Sequence, residues 1–120
     1  MPRKKGGTSY GKIFLVLVIL AVGGYVAYHD GLFGVTSIRD ISSSMADQEI
    51  RIKGRVVEVQ SSADLFRISD GSASIWVHWE LDLPHINDTV VVSGVVQTQN
   101  IIITLLWIDA KSITPVWIFK

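Results

Sequence analysis

The run from Ile50 to Trp79 constrains this chain more than any other stretch. Ile50, Ile52, Gly54 and Val56 alternate with Arg51, Lys53 and Arg55. That period of two belongs to a strand buried on one face. At Val56-Val57 the alternation slips, and Val57 and Val59 become the apolar pair. A slip beside a glycine predicts a bulge or sharp bend, which lets one strand serve two sides of a closed sheet. A polar loop, Ser61-Ser62-Ala63-Asp64, follows. Leu65–Ser69 then reads as a second strand, with Phe66 and Ile68 inward and Arg67 outward. Asp70-Gly71 opens a hairpin connection in which glycine supplies a positive φ. Ser74–Trp79 is the third strand, with Ile75 and Val77 on one face and Trp76 and His78 on the other.

The rest of the chain completes a sheet. Glu80–Asp88 is short and broken by Pro84, which excludes a full helix. Thr89–Val96 is rich in β-branched residues and reads as a fourth strand. Thr98-Gln99-Asn100 is expected to turn, and Ile101–Ile108 to form the fifth strand. Five strands with a glycine-bent first one and no full helix among them predict a small closed β-barrel. Its expected bounds are 50–114. A connector, 34–49, precedes it, and Ile38 and Ile41 are expected to plug one barrel end. An apolar tail, 115–120, follows, with Val116–Phe119 either packing back on the barrel or touching a membrane surface.

Before the connector lies a different kind of sequence. Ile13–Tyr28 holds 16 residues without a charge. It follows a basic segment, 1–12, that carries Arg3, Lys4, Lys5 and Lys12 and no acid. At about 1.5 Å per residue the run spans roughly 24 Å, short of the roughly 30 Å hydrocarbon core. Snorkelling by Lys12, the interfacial preference of Tyr10, Tyr25 and Tyr28, and an apolar continuation through Gly31, Leu32 and Phe33 make up the difference. A single-pass transmembrane anchor over 13–33 is the first reading. The rival is a cleaved signal peptide, for which Ala21-Val22-Gly23 offers small residues. The positive-inside rule puts the amino terminus in the cytoplasm and the barrel on the far side of the cell membrane.

At this point the residues resemble an OB-fold. Ile52-Lys53-Gly54-Arg55-Val56, Phe66-Arg67-Ile68-Ser69-Asp70-Gly71 and Val91-Val92-Ser93-Gly94 resemble the oligonucleotide-binding barrels of replication protein A subunits. They also resemble the anticodon-binding barrels of some aminoacyl-tRNA synthetases. The likeness covers Ile38 to Ile113. It implies an all-β, five-stranded OB-fold barrel behind one amino-terminal transmembrane helix, with single-stranded nucleic acid as the ligand class. A second likeness is to the haem chaperone of cytochrome c maturation, which also has a short tail, one anchor and an OB-like barrel. Leu83–Gly94 resembles the approach to its fourth strand. That family attaches haem through a histidine in an Ala-Lys-His type sequence, whereas here Ala110-Lys111 precedes Ser112.

The outward face of the first three strands carries the candidate ligand-binding residues: Lys53, Arg55, Arg67, Trp76 and His78, with Arg51 beside them. Cations can meet phosphates while flat rings stack on bases. The charge balance opposes a polyanion. From Thr36 onward seven basic residues face ten acidic ones, net −3, so the domain offers no global attraction. A membrane-complex protein is therefore the alternative partner for the same face or for the apolar tail. The chain has no cysteine, which excludes disulfides and thiolate chemistry. His29, His78 and His85 have no spacing suited to a metal. No nucleophile, phosphate loop or triad is recognisable. The expectation is a non-enzymatic module with neither cofactor nor metal.

Overall fold

A computed structural model describes residues 2–100 and 102–119, with side chains from Gly11 onward. One helix, α1 (Pro2–His29), precedes five strands: β1 (Glu49–Gln60), β2 (Leu65–Ser69), β3 (Ser74–His78), β4 (Thr89–Asn100) and β5 (Thr104–Pro115). The strands close into a barrel in the order β1-β2-β3-β5-β4, with β3 and β5 parallel and every other pair antiparallel. The five-stranded barrel expected from the sequence is therefore present.

The slip at Val56-Val57 is a bulge. The pairing of β1 with β2 shifts between Val56 and Glu58. Residues 49–55 pair with β4, and pairing with β2 begins at Arg55-Val56 and resumes beyond the bulge at residues 58–60. This is how one strand serves two sides of the barrel. Alternation holds along β2 and β3: Phe66, Ile68, Ile75 and Val77 are buried, while Arg67, Trp76 and His78 are half-exposed. Ile52, Val56, Val92, Val96 and Ile108 complete the centre of the core. Ile38 and Ile41, around a short 3-10 turn, are buried in that same cluster, as the connector pattern led us to expect. Trp79 packs against it.

The last hairpin departs from the sequence reading. Thr98, Gln99 and Asn100 do not turn; they extend β4 and pair with Leu106, Leu105 and Thr104. The turn lies between Asn100 and Thr104, so β5 begins later than expected and runs on to Pro115. Ile101 itself lies outside the described residues. Ile102 and Ile103 have strand propensity, but barrel closure overrides it. Val96 and Ile108 must both point inward, and their pairing carries the ladder to Asn100↔Thr104. Thr104 Oγ1 closes the hairpin by donating to Asn100 Oδ1 at 2.8 Å. Ile102, 96% exposed, is left at the tip.

Gly94 marks the second irregularity, a register shift in β4 against β5. A Cβ there would lie 2.5 Å from the Asp109 carbonyl oxygen and 2.9 Å from the Ala110 Cα. Gly54 is less tight, with the Ser69 carbonyl oxygen 3.0 Å from an added Cβ. The glycine most demanded by packing is thus the one on β4.

Candidate binding groove and helix–barrel junction

The predicted site residues divide into two groups. Arg67, Trp76 and His78 come together. Trp76 pairs across the parallel β3/β5 contact with Trp107, so two indoles stand on adjacent strands. A groove of about 360 Å³ runs over them, lined by Ala63 and Leu65 at one end and Leu105, Leu106 and Trp107 at the other, with Trp76 and His78 between. Its walls are predominantly apolar and aromatic, as ligand sites commonly are. Trp107 lies within the stretch expected to form the fifth strand, which by itself does not say which way its ring points. The strand register turns it outward, and only the partner strand reveals its neighbour.

The charges around the groove are already partnered. Arg67 donates to Glu58 Oε1 at 3.0 Å and to Ser74 Oγ at 3.2 Å, with its guanidinium carbon 5.8 Å from the centre of the Trp76 ring. His78 Nδ1 lies 3.4 Å from Asp109 Oδ1, and its Nε2 lies 3.9 Å from Glu80 Oε1. The His78 ring meets Trp107 edge-on at 6.2 Å. This rim therefore carries one guanidinium, paired with Glu58, and two further carboxylates beside His78.

Lys53 and Arg55 lie elsewhere. Lys53 Nζ donates to the Phe119 carbonyl. Arg55 is exposed and borders a separate hollow with Thr36, Ser37 and Asp70. Arg51 donates to the carbonyls of Tyr28, His29 (3.2 Å) and Phe33 (3.1 Å). Its guanidinium sits 3.9 Å over the Tyr28 ring. Of the outward row on β1, Arg51 thus joins the barrel to the helix end, and Lys53 joins it to the segment after β5. Arg51 there satisfies carbonyls that every helix leaves open and meets the negative pole of the helix dipole.

That junction holds the residue that sequence reasoning missed. α1 ends in a Schellman motif: Gly31 N–H donates to the Tyr28 carbonyl at 3.1 Å, and Leu32 N–H to the Ala27 carbonyl at 3.0 Å. Gly31 supplies the required left-handed backbone at φ +76. Just before it, Asp30 is fully buried. Its carboxylate accepts three backbone N–H groups, from Trp117 (2.7 Å), Ile118 (2.8 Å) and Phe119 (3.0 Å). His29 Nδ1 lies 2.9 Å from the same carboxylate, and its ring stacks on Trp117. A carboxylate at a helix carboxy terminus opposes the dipole, so the three amides and the nearby Arg51 must offset that cost. The only sequence signal was an acid directly after an uncharged run and before a glycine.

A further carboxylate, Asp70, ties the connector to the β2–β3 turn. It accepts from Ile38 N–H at 2.8 Å, from Ala73 N–H at 3.2 Å, and from Ser72 through both N–H and Oγ. Partial burial pushes its carboxyl up, but the Ser72, Ile38 and Ala73 hydrogen bonds outweigh this and hold it at about 2.

Comparisons with known proteins support the architecture. No family model matches the sequence, and no curated protein matches it. Solved structures do. The hypothetical protein ygiW from E. coli aligns at TM-score 0.57 and 28% identity, over 70% of this chain and 91% of that one. OBody AM1L10, solved bound to hen egg-white lysozyme, aligns at TM-score 0.60 and 17% identity, over 70% and 92%. Aspartyl tRNA synthetase from Entamoeba histolytica aligns at TM-score 0.58 and 15% identity, covering 73% of this chain but 22% of the enzyme. The barrel has an OB-type fold. In front of it, Gly11–His29 is long and apolar enough to cross a membrane, a property that signal sequences share.

Proposed function

We propose that this chain is a membrane-tethered, non-enzymatic OB-fold module that holds a protein segment in the Trp76–Trp107 groove. The observation that carries the reading is the charge arrangement around that groove. Arg67 is paired with Glu58, while Asp109 and Glu80 flank His78. Arg51 and Lys53 donate to the chain's own carbonyls. A ligand that repeats a phosphate at every residue meets no free row of cations there. A polypeptide presenting an apolar or aromatic side chain, with a basic neighbour for Asp109 and Glu80, meets complementary chemistry. The OBody barrel, bound to hen egg-white lysozyme, is a precedent for a protein ligand on this fold.

The anchor reading rests on α1. Residues 11–25 of its apolar window are exposed throughout, and a soluble chain has little reason to leave such a helix uncovered. With the basic segment ahead of it, the amino terminus is cytoplasmic and the barrel lies outside.

Single-stranded nucleic acid is the second reading. The Arg67 guanidinium over Trp76 favours it, since such pairs stack on bases, and so does the resemblance to anticodon-binding barrels. One experiment separates the two. The full chain in nanodiscs is titrated with a labelled 12-mer oligonucleotide at low and physiological salt, and a photo-crosslinker placed at position 107 is activated in cells. The expected result is a polypeptide adduct from position 107, none from a control at the exposed His85 outside the groove, and no oligonucleotide binding. Salt-sensitive oligonucleotide binding that is lost in Trp76→Ala would replace this reading with the nucleic-acid one.

A further inference from the structure

The apolar surface of α1 continues beyond the end of the helix. Gly11–His29 contains 19 residues, about 28 Å of helix, against a hydrocarbon core of about 30 Å. His29 therefore lies where hydrocarbon gives way to headgroups. Gathered at that level are Leu32 and Phe33 from the turn after the helix and Trp117, Ile118 and Phe119 from beyond β5, all exposed. Aromatic contacts fuse them to the helix. Trp117 lies 6.3 Å from Tyr25 and stacks on His29, and Phe33 lies 5.5 Å from Tyr28. The chain holds residues 117–119 there by spending a buried carboxylate, Asp30, on their three amides.

We infer that Leu32-Phe33 and Trp117–Phe119 form a collar that seats in the headgroup region of the bilayer crossed by α1. This rests on the membrane-tethered reading above. The partner is lipid because the patch is continuous with the helix surface and built from residue types that favour interfaces. Its charges are spent within the protein: Asp30 is buried under amides, and Lys53 and Arg51 donate to backbone carbonyls. Among the described residues of the collar, no bare ion is thus carried toward the hydrocarbon. The collar, the Schellman turn and Arg51 together hold the barrel at a set attitude to the bilayer. The Ile102 hairpin tip, at the opposite end of the 12-residue β5 from Pro115, points away from it.

Because the chain has no cysteine, single-site spin labelling tests this directly. Leu17→Cys, Ile118→Cys and Ile102→Cys of the full chain are labelled in phosphatidylcholine nanodiscs. All three positions are exposed, so the label displaces no core. Accessibility to oxygen and to a water-soluble nickel chelate is then compared. The expected order is oxygen-dominated at Leu17, intermediate at Ile118 and nickel-dominated at Ile102, with the nickel-to-oxygen ratio several-fold lower at Ile118 than at Ile102. An Ile118 probe matching Ile102 while Leu17 stays deep overturns the collar and leaves the anchor standing. A nickel-accessible Leu17 probe overturns the anchor and the collar with it. An Ile118 probe shielded from both reagents indicates a protein partner and also overturns the collar.

Discussion

Replacing Asp30 should release residues 117–119 while leaving the barrel folded. Three amides meet its carboxylate at 2.7, 2.8 and 3.0 Å. Hydrogen bonds to a charged group contribute about 1.5–3 kcal/mol each, or about 7 kcal/mol together at a middling value. Against this, ordering three residues costs about 1–2 kcal/mol each for the backbone alone. The balance leaves the segment docked by about 2 kcal/mol, equivalent to roughly 30-fold protection of its amides from exchange. Asp30→Ala removes all three acceptor contacts and tips the balance to the open state. Asp30→Asn keeps one neutral acceptor and turns an NH₂ toward the other amides, so it should open nearly as far. Amide hydrogen exchange on the full chain in nanodiscs reads this residue by residue. Trp117, Ile118 and Phe119 should be protected in the parent and exchange at open-chain rates in Asp30→Ala. Val92, at the centre of the core, should not change. Equal exchange at 117–119 in parent and variant would refute the latch; loss of protection at Val92 would refute its confinement to the junction.

Other perturbations test the fold and the junctions. Gly94→Ala forces a Cβ against the Asp109 carbonyl at 2.5 Å; overpacking of this kind costs about 3 kcal/mol, or roughly 15 °C in a thermal melt of a domain this small, and Gly54→Ala should cost less. Gly31→Ala combines a left-handed φ of +76 with a Cβ 2.9 Å from the Lys53 side chain; it should loosen the helix end, seen as faster exchange at Leu32. Asp70 is held at about 2, below its usual 3.8, so its contribution is complete above about pH 4 and is lost as pH falls through 2. The Ile38 amide shift should titrate near pH 2 in the parent, and a flat response in Asp70→Asn would confirm the assignment.

Much of the barrel was legible because strand burial is a local property. In β2 and β3 the alternation of Phe66, Ile68, Ile75 and Val77 with Arg67, Trp76 and His78 states which side faces the core. The slip at Val56-Val57 announced a bulge for the same reason: a change of phase in a period of two is visible without knowing the partner strand. Ile38 and Ile41 were recognisable as an apolar pair with nothing local to cover it. The uncharged run of α1 was visible from composition alone.

What the tertiary structure decided involves partners distant in sequence. The turn after Asn100 depends on Val96 and Ile108 both facing inward, a condition of closure rather than of propensity. Trp107 becomes a groove residue only because β5 lies parallel to β3 at Trp76. Lys53 and Arg51 look like ligand-binding cations in a β1 read alone, and become structural donors once the helix end and residues 117–119 arrive beside them. Asp30, 87 residues before Trp117, had no visible partner at all. Periodicity tells which side of an element is buried; only the closing of the chain on itself determines what each exposed side chain meets.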